Sequence, residues 1–454
     1  MKVADFAAGK PNETLRRHTA VILEAALAAV DPERAVRRFV RLRDATLWIG
    51  RRAYDLSAVK RVFVVGAGKA GAPMVAALEA ILGDRITAGI VNVKYGHTRP
   101  LARVQLVEAG HPLPDAAGVR GAEAMLELLA DASGDDLILC VISGGGSSLL
   151  PAPVPPVTLE EKAEVTALLL RSGATIRELN TVRKHLSRVK GGGLANAAAP
   201  APVAAIVLSD VIGDPVDAIA SGPTAPDPTT FADALDVLER YGLDDRVAPA
   251  VLQHLRGGAA GRIAETAKPG DPVFAHVHVV IIGSNEVAAA AAARKASALG
   301  YSTLLLTTCL EGESREAARV LAGIGRSTRS AGIPQSPPAC VIAGGETTVT
   351  VRGSGKGGRC QEFALSAAVA MEDWPGVVIA AFGTDGTDGP TDAAGAVADG
   401  TTLDRARALG LSARRALADN DAYPFFAALD DLIVTGPTNT NVNDLYVMLV
   451  GRAT

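Results

Sequence analysis

Cysteine is scarce in this chain of 454 residues: Cys140, Cys309, Cys340 and Cys360 lie far apart, with no C-x-x-C pair. Neither a disulfide framework nor a zinc site is expected from that spacing. Cys140 and Cys340 fall in apolar, strand-like runs and read as small buried hydrophobes. Aromatic residues make up only 4% while alanine is abundant, so helices should pack closely on small side chains. No uncharged apolar run approaches about 20 residues without proline, so no membrane span is expected. Residues 1–12 hold no apolar leader segment, and a cytoplasmic location is expected. Neither charge sign dominates: 45 basic and 49 acidic residues give a net charge of −4. No basic tail or stripe stands out, which argues against nucleic acid as the main partner.

What is present is a soluble α/β texture: 48% hydrophobic, 21% charged, with 47 glycines and 26 prolines marking many turns. The length suggests two or three domains at about 100–200 residues each. Residues 13–29 and 33–42 read as amphipathic helices, the first capped by Asn12. Strands near 61–66, 88–93, 103–108, 136–142 and 203–208 then alternate with helices at 70–82, 116–131, 158–172 and 176–190. These strands are continuous apolar runs, as expected of a parallel sheet covered on both faces. Prolines 223, 226 and 228 open a region of different texture, with a helix at 231–240, that reads as a domain connection. A second α/β pattern is expected from strand 276–283 onward, through 302–307, 339–343, 377–382 and a final strand 444–450. Residues 346–351 alternate and read as an antiparallel or edge strand. The expected architecture is two Rossmann-like α/β domains in α/β/α layers, spanning 1–228 and 273–454 and joined by 229–272, with the active site in the interdomain cleft.

The chemistry concentrates in loops that follow these strands. Val62-Phe-Val-Val-Gly-Ala-Gly-Lys-Ala-Gly71 is a G-x-G-x-x-G turn between a strand and a helix, the fingerprint of a dinucleotide-binding turn. Lys69 inside it places a mobile cation where a helix N-terminus already attracts phosphate. Ser143-Gly144-Gly145-Gly146-Ser147-Ser148 offers backbone N–H groups and hydroxyls to an oxyanion; a plain flexible turn is the alternative. Asp210 and Asp214 after strand 203–208 can hold Mg²⁺, take a proton or cap a helix. Arg183, Lys184, Arg188 and Lys190 form an anion-site candidate or an ordinary solvated helix face.

In the second half, Asp385, Asp388 and Asp392 are spaced as in a calcium loop, but Ala396 stands where the twelfth-position Glu belongs. A turn presenting Asp385 or Asp388 to a metal–nucleotide fits better. Residues 353–358 fail the P-loop spacing, with Thr350 in place of the first glycine and Gly357 after Lys356. What remains is a mobile glycine loop ending in Arg359 at a helix start, where a guanidinium can clamp carboxylate or phosphate.

A nicotinamide oxidoreductase would need an acid about 20 residues past the glycine turn. Strand 88–93 instead runs into Lys94, which suits only a 2′-phosphate. A non-catalytic sugar or anion binder would need the glycines but not the charged groups at the strand ends. A kinase uses all of them, because phosphoryl transfer rests on positioning and charge neutralisation.

The motifs Gly66–Gly71, Ile142–Ser148, Leu179–Gly193, Leu208–Asp214, Ser221–Thr224, Gly344–Thr347, Gly357–Glu362 and Gly383–Gly389, in this order, resemble the glycerate 2-kinase family. This is the two-domain type with a MOFRL C-terminal domain, carrying hydroxypyruvate reductase as an older label. The resemblance implies transfer of the ATP γ-phosphoryl group to the 2-hydroxyl of D-glycerate with Mg²⁺, in a monomer or homodimer. It matches the family's active-site lysine to Lys69 and its arginine to Arg359. The expected site adds Asp210 as base or metal ligand. Gly68, Ser143, Gly144, Gly145, Gly146, Ser147, Ser148, Arg183, Lys190, Asp385 and Asn441 are expected on substrate and phosphate, with Asp385 a second metal candidate.

Overall fold

The computed structural model describes residues 6–452. Two compact units divide the chain, one formed by Pro32–Ile282, the other by the residues up to Asp31 together with those from Gly283 onward.

The Pro32–Ile282 unit is built on a six-stranded sheet. Val62–Ala67 and Leu137–Ile142 are its central pair, parallel and in register from Val62/Leu137 to Ala67/Ile142. Ile86–Lys94 and Val104–Ala109 extend the sheet on one side, Val203–Leu208 and then Val277–Gly283 on the other. Val62–Ala67, Leu137–Ile142 and Val203–Leu208 are buried at every residue, as their unbroken apolar runs require. Because the chain adds strands first to one side and then to the other, the sheet has its topological switch point between Val62–Ala67 and Leu137–Ile142. Open α/β sheets bind ligands at such points, outside the carboxyl ends of the strands.

Three features of this unit differ from the sequence reading. The strand Val277–Gly283 completes the first sheet rather than opening the second. The expected connection holds helices Phe231–Arg240 and Pro249–Ala259, whose Val237, Leu238, Val251 and Leu255 share an apolar core with Leu169, Leu179 and Val182. The compact units therefore divide away from 228 and 273. The expected helix 33–42 ends at Phe39 and passes into a three-stranded antiparallel ribbon, Val40–Arg43, Thr46–Ile49 and Arg52–Asp55.

In the second unit Glu13–Ala29 packs on Asn285–Ala298. Asn12 precedes it in a left-handed conformation with no side-chain cap bond, contrary to the expected cap. The sheet order is Ser302–Leu310, Ala339–Gly345, Asp444–Val450, Val377–Gly383, Gly395–Asp399, Leu432–Ile433. This unit is α/β, but its sheet is mixed: only the first pair is parallel, and Asp444–Val450 runs antiparallel between two strands that point the same way. Asp444 thus stands in register with both Gly345 and Gly383, at the carboxyl ends of its neighbours. Residues 346–351 form no strand; Thr348 makes a single bridge to Glu313.

Candidate active site

Each unit carries a cluster of polar groups at its strand ends. In the first, the glycine turn and the serine loop lock together. The Lys69 N–H donates to the Gly144 carbonyl at 2.9 Å and the Ser143 N–H to the Ala67 carbonyl at 3.1 Å, while the Ala70 N–H donates to Ser143 Oγ at 3.0 Å. Gly68, at φ +150°, has no room for a side chain: a Cβ would lie 2.0 Å from Ser143 Oγ and 2.7 Å from its carbonyl oxygen. Lys69 is half-buried at the end of this frame.

Asp210 closes the same corner. Its Oδ2 lies 2.6 Å from where a Gly144 Cβ would stand. Its carboxylate accepts a backbone N–H from Gly145 and faces the Lys69 charge. Burial raises its pKa, which Lys69 opposes, giving a carboxylate suited to taking up a proton. Two histidines absent from the sequence reading join the cluster. His111 would touch a Cβ on Gly145 at 2.8 Å. Burial, with the charges of Lys69, Lys94 and His97, holds its pKa down to about 4, so it is neutral at physiological pH. His97 has a buried Nδ1 without a hydrogen-bond partner. Both stand in loops with no periodicity, and only their nearness in the fold marks them.

The remaining expected binding residues of this unit divide in two. Gly144 and Gly145 join the Lys69–Asp210 corner, Gly146 instead lies against Ala220 and the Ala67 carbonyl, and Ser148 is half-buried. Ser147 and Lys190 face inward. Lys190, 2% exposed, donates to the Ser147 carbonyl at 2.9 Å, Ser147 Oγ at 3.1 Å and the Ala220 carbonyl at 3.3 Å. Ser147 Oγ also meets Ser221 Oγ at 3.0 Å, which donates to Asn180 at 3.1 Å. Burial, then repulsion from Arg183 and Lys162, lowers the Lys190 pKa well below the ordinary value. Lys190 is therefore a cross-link beneath the loop, and the helix read as 176–190 ends at His185 because the chain turns inward there. Arg183 is half-buried, with its pKa lowered by burial. Ala220 and Ser221, at φ 51° and 63°, hold left-handed conformations unusual for residues with side chains, a strain that clusters at functional sites.

In the second unit Arg359 opens the helix Arg359–Ala370. Its Nε and Nη2 donate to the two Asp444 oxygens at 2.6 and 2.9 Å, and Nη1 meets Glu346 at 2.9 Å. Burial works against its charge, yet the Asp444 bonds hold its pKa above the ordinary value. Asp388 caps the same helix, accepting from the Cys360 and Gln361 N–H groups at 3.1 and 2.8 Å. The glycine loop before Arg359 is pinned rather than mobile. Ser354 and Lys356 donate backbone N–H groups to Asp419 and Asp421 at 3.0 and 2.9 Å, and a Cβ on Gly353 or Gly355 would lie within 2.5 Å of that segment.

Asp385 and Asn441 lie on two loops tied to each other, with the Thr384 N–H donating to the Asn443 carbonyl at 3.1 Å. Both side chains brace their own loops: Asp385 accepts from Thr387, and Asn441 from the Asn443 N–H. Asn443 donates to Glu346 at 2.7 Å, which links these loops to Arg359. Asp444 and Glu346, the residues that orient Arg359, were not singled out in the sequence, since nothing local marks them as its partners. Among the described residues no three His, Cys, Asp or Glu side chains gather as a metal cage. A Mg²⁺ held by one or two carboxylates plus substrate phosphates asks for less than such a cage.

Residues 18–256 match the family described as a domain of unknown function (DUF4147), and residues 339–444 match the MOFRL family. A glycerate 2-kinase from Pyrococcus horikoshii is 41% identical over 94% of this chain and 95% of its own. A D-glycerate 2-kinase from Thermotoga maritima is 42% identical over 96% and 99%. The chain belongs to the glycerate kinase family. The crystal structure of a Thermotoga maritima glycerate kinase superposes with a TM-score of 0.87 at 41% identity, covering 96% of this chain and all of that one. The family also holds a relative from Agrobacterium vitis, 47% identical over 86% of this chain, that carries a hydroxypyruvate reductase name.

Proposed function

We propose that this member of the glycerate kinase family transfers the γ-phosphoryl group of ATP to the 2-hydroxyl of D-glycerate, giving 2-phosphoglycerate and ADP. The observation that carries this reading is Lys69, fixed by its own backbone at the switch point of the sheet, with the half-buried Asp210 carboxylate facing its charge. Lys69 neutralises charge on the moving phosphoryl group, and the N–H-rich loop 143–148 receives the substrate carboxylate or phosphate oxygens. Asp210, with its raised pKa, orients the 2-hydroxyl and accepts its proton. Arg359 keeps guanidinium N–H groups beyond those given to Asp444 and Glu346 and supplies them to carboxylate or phosphate. Mg²⁺, when bound with ATP, would supply neutralisation of the phosphate charge; were Asp210 to hold it, that role would replace its role as base rather than add to it. We place the reaction in the cytoplasm.

The reductase reading has the Agrobacterium name behind it. Against its NADH form, the strand Ile86–Lys94 ends without the acid that would hold the 2′-hydroxyl of the adenosine ribose, and its Lys94 suits only the 2′-phosphate of NADPH. One assay pair on the purified protein decides between them. Phosphoglycerate formed from ATP and D-glycerate, followed by ³¹P NMR, supports the kinase. NADH or NADPH consumption with hydroxypyruvate, without phosphoglycerate formation, overturns it.

A further inference from the structure

The second unit carries a groove that the proposed reaction does not use. It has a volume of about 590 Å³ and lies over the helix Arg359–Ala370, at the face of Ser366, Val369 and Ala370. Ala370 stands 11 residues from Arg359, roughly 16 Å along the helix at 1.5 Å per residue. Arg315, Arg319, Arg326 and Arg414 line the groove against one acid, Glu316.

The charges are not all spent. Arg315 is held by Glu362 at 2.6 Å and Arg319 by Glu316 at 3.1 Å. Among the described residues neither Arg326 nor Arg414 has a carboxylate partner; Arg326 reaches only the Ala370 carbonyl, at 3.4 Å, and lies over the Trp374 ring at 4.5 Å. The floor is small and apolar, with Val369 and Leu417 beside Gly323, where an added Cβ would meet nothing within 4 Å. Two unpaired guanidinium forks ask for a dianion, and the volume and apolar floor ask for more than an inorganic ion.

We propose that this groove binds a small phosphate-bearing organic anion, whose phosphate is held by Arg326 and Arg414 and whose body lies on Gly323, Val369 and Leu417. Such a ligand would adjoin the helix that carries Arg359. Arg315 grips Glu362 of that helix, the Ser366 hydroxyl donates to the Arg315 carbonyl at 2.7 Å, and the Ser314 hydroxyl donates to the Arg359 carbonyl at 2.6 Å.

Trp374 reports on the groove through Arg326. The chain has two tryptophans, so Trp48→Phe leaves Trp374 as the sole indole. Pyrophosphate, titrated into that protein at constant ionic strength, should change Trp374 emission along a saturable curve. Gly323→Leu, which fills the floor, and Arg414→Ala, which removes one of the two phosphate-holding forks and leaves the Arg326–Trp374 reporter in place, should each weaken the midpoint about ten-fold or more, the scale of one lost charge-assisted contact. Both variants should leave glycerate phosphorylation without pyrophosphate unchanged. An unsaturable response, or a midpoint in either variant unchanged from that of the Trp48→Phe parent, overturns the site. Citrate binding as tightly as pyrophosphate overturns its assignment to phosphate.

Discussion

Arg359 meets Asp444 through two near-parallel hydrogen bonds, of 2.6 and 2.9 Å, across 85 residues of sequence. The carboxylate is fully buried, and it fixes the direction in which the guanidinium points. Asp444→Asn should lower kcat more than it raises the KM for glycerate, since it loosens an oriented donor without removing it. Its stability cost should be about 2 kcal/mol, less than the 3–5 of a fully buried broken pair because the Arg359 side chain is 36% exposed. Steady-state kinetics with a denaturant titration checks both, and an unchanged kcat would show that Asp444 only supports the fold.

Removing either proposed cation outright should cost more. Lys69→Ala and Arg359→Ala should each reduce turnover by roughly 10² or more, the scale of one lost transition-state donor. A near-normal rate in either variant would remove that residue from the reaction.

Lys190 gives the opposite expectation. Its ammonium is spent on two carbonyls and a hydroxyl inside the protein. Lys190→Met should therefore lower the melting temperature while the KM for ATP stays within about three-fold, because the lost interactions are buried hydrogen bonds of about 1–3 kcal/mol. A large rise in that KM with unchanged melting would return Lys190 to the phosphate site.

His111 makes stability depend on pH. Unfolded, it takes up a proton near pH 6.5; folded, only near 4. The unfolded chain binds more protons between these values. This contribution is full above about pH 6.5 and is lost as pH falls toward 4. His111→Gln should flatten that slope of the denaturation midpoint against pH, and an imidazole NMR titration near 6.5 would contradict the burial argument.

Gly68→Ala should abolish both activity and a normal melting transition. The clash is with Ser143 backbone as well as its hydroxyl, so adding Ser143→Gly should not rescue it. Recovery of activity in the double variant would mean that the turn is softer than its hydrogen bonds imply.

The parts of this fold that sequence reveals are those whose cause is local. Val62–Ala67 is an unbroken β-branched run because both its faces are covered, and Gly66 and Gly68 follow because the turn passes within side-chain distance of the next strand. Lys69 and Asp210 stand directly after such strands and were legible for that reason. Asp444 was not: it opens an apolar strand whose place between Ala339–Gly345 and Val377–Gly383 depends on pairings about 60 to 110 residues away. The ribbon at residues 40–55 was hidden by strands of only four residues. Lys190 read as a phosphate-binding charge on a helix because charge patterning cannot tell a helix face from a chain turning inward.

The central place of Asp444–Val450 also sets an order of events at the ribosome. The second unit takes in Glu13–Ala29, the first helix among the described residues, and cannot close its sheet until residues 444–450 emerge, roughly 400 residues later in vectorial synthesis. The Pro32–Ile282 unit has all its strands long before then. A nascent chain would thus carry a finished first unit and an open second sheet, with Arg359 still lacking its carboxylate. Release of a chain stopped short of residue 444 should give a protein that retains the Lys69 corner, exposes the flanks of Ala339–Gly345 and Val377–Gly383, and is open to aggregation along those unpaired edges.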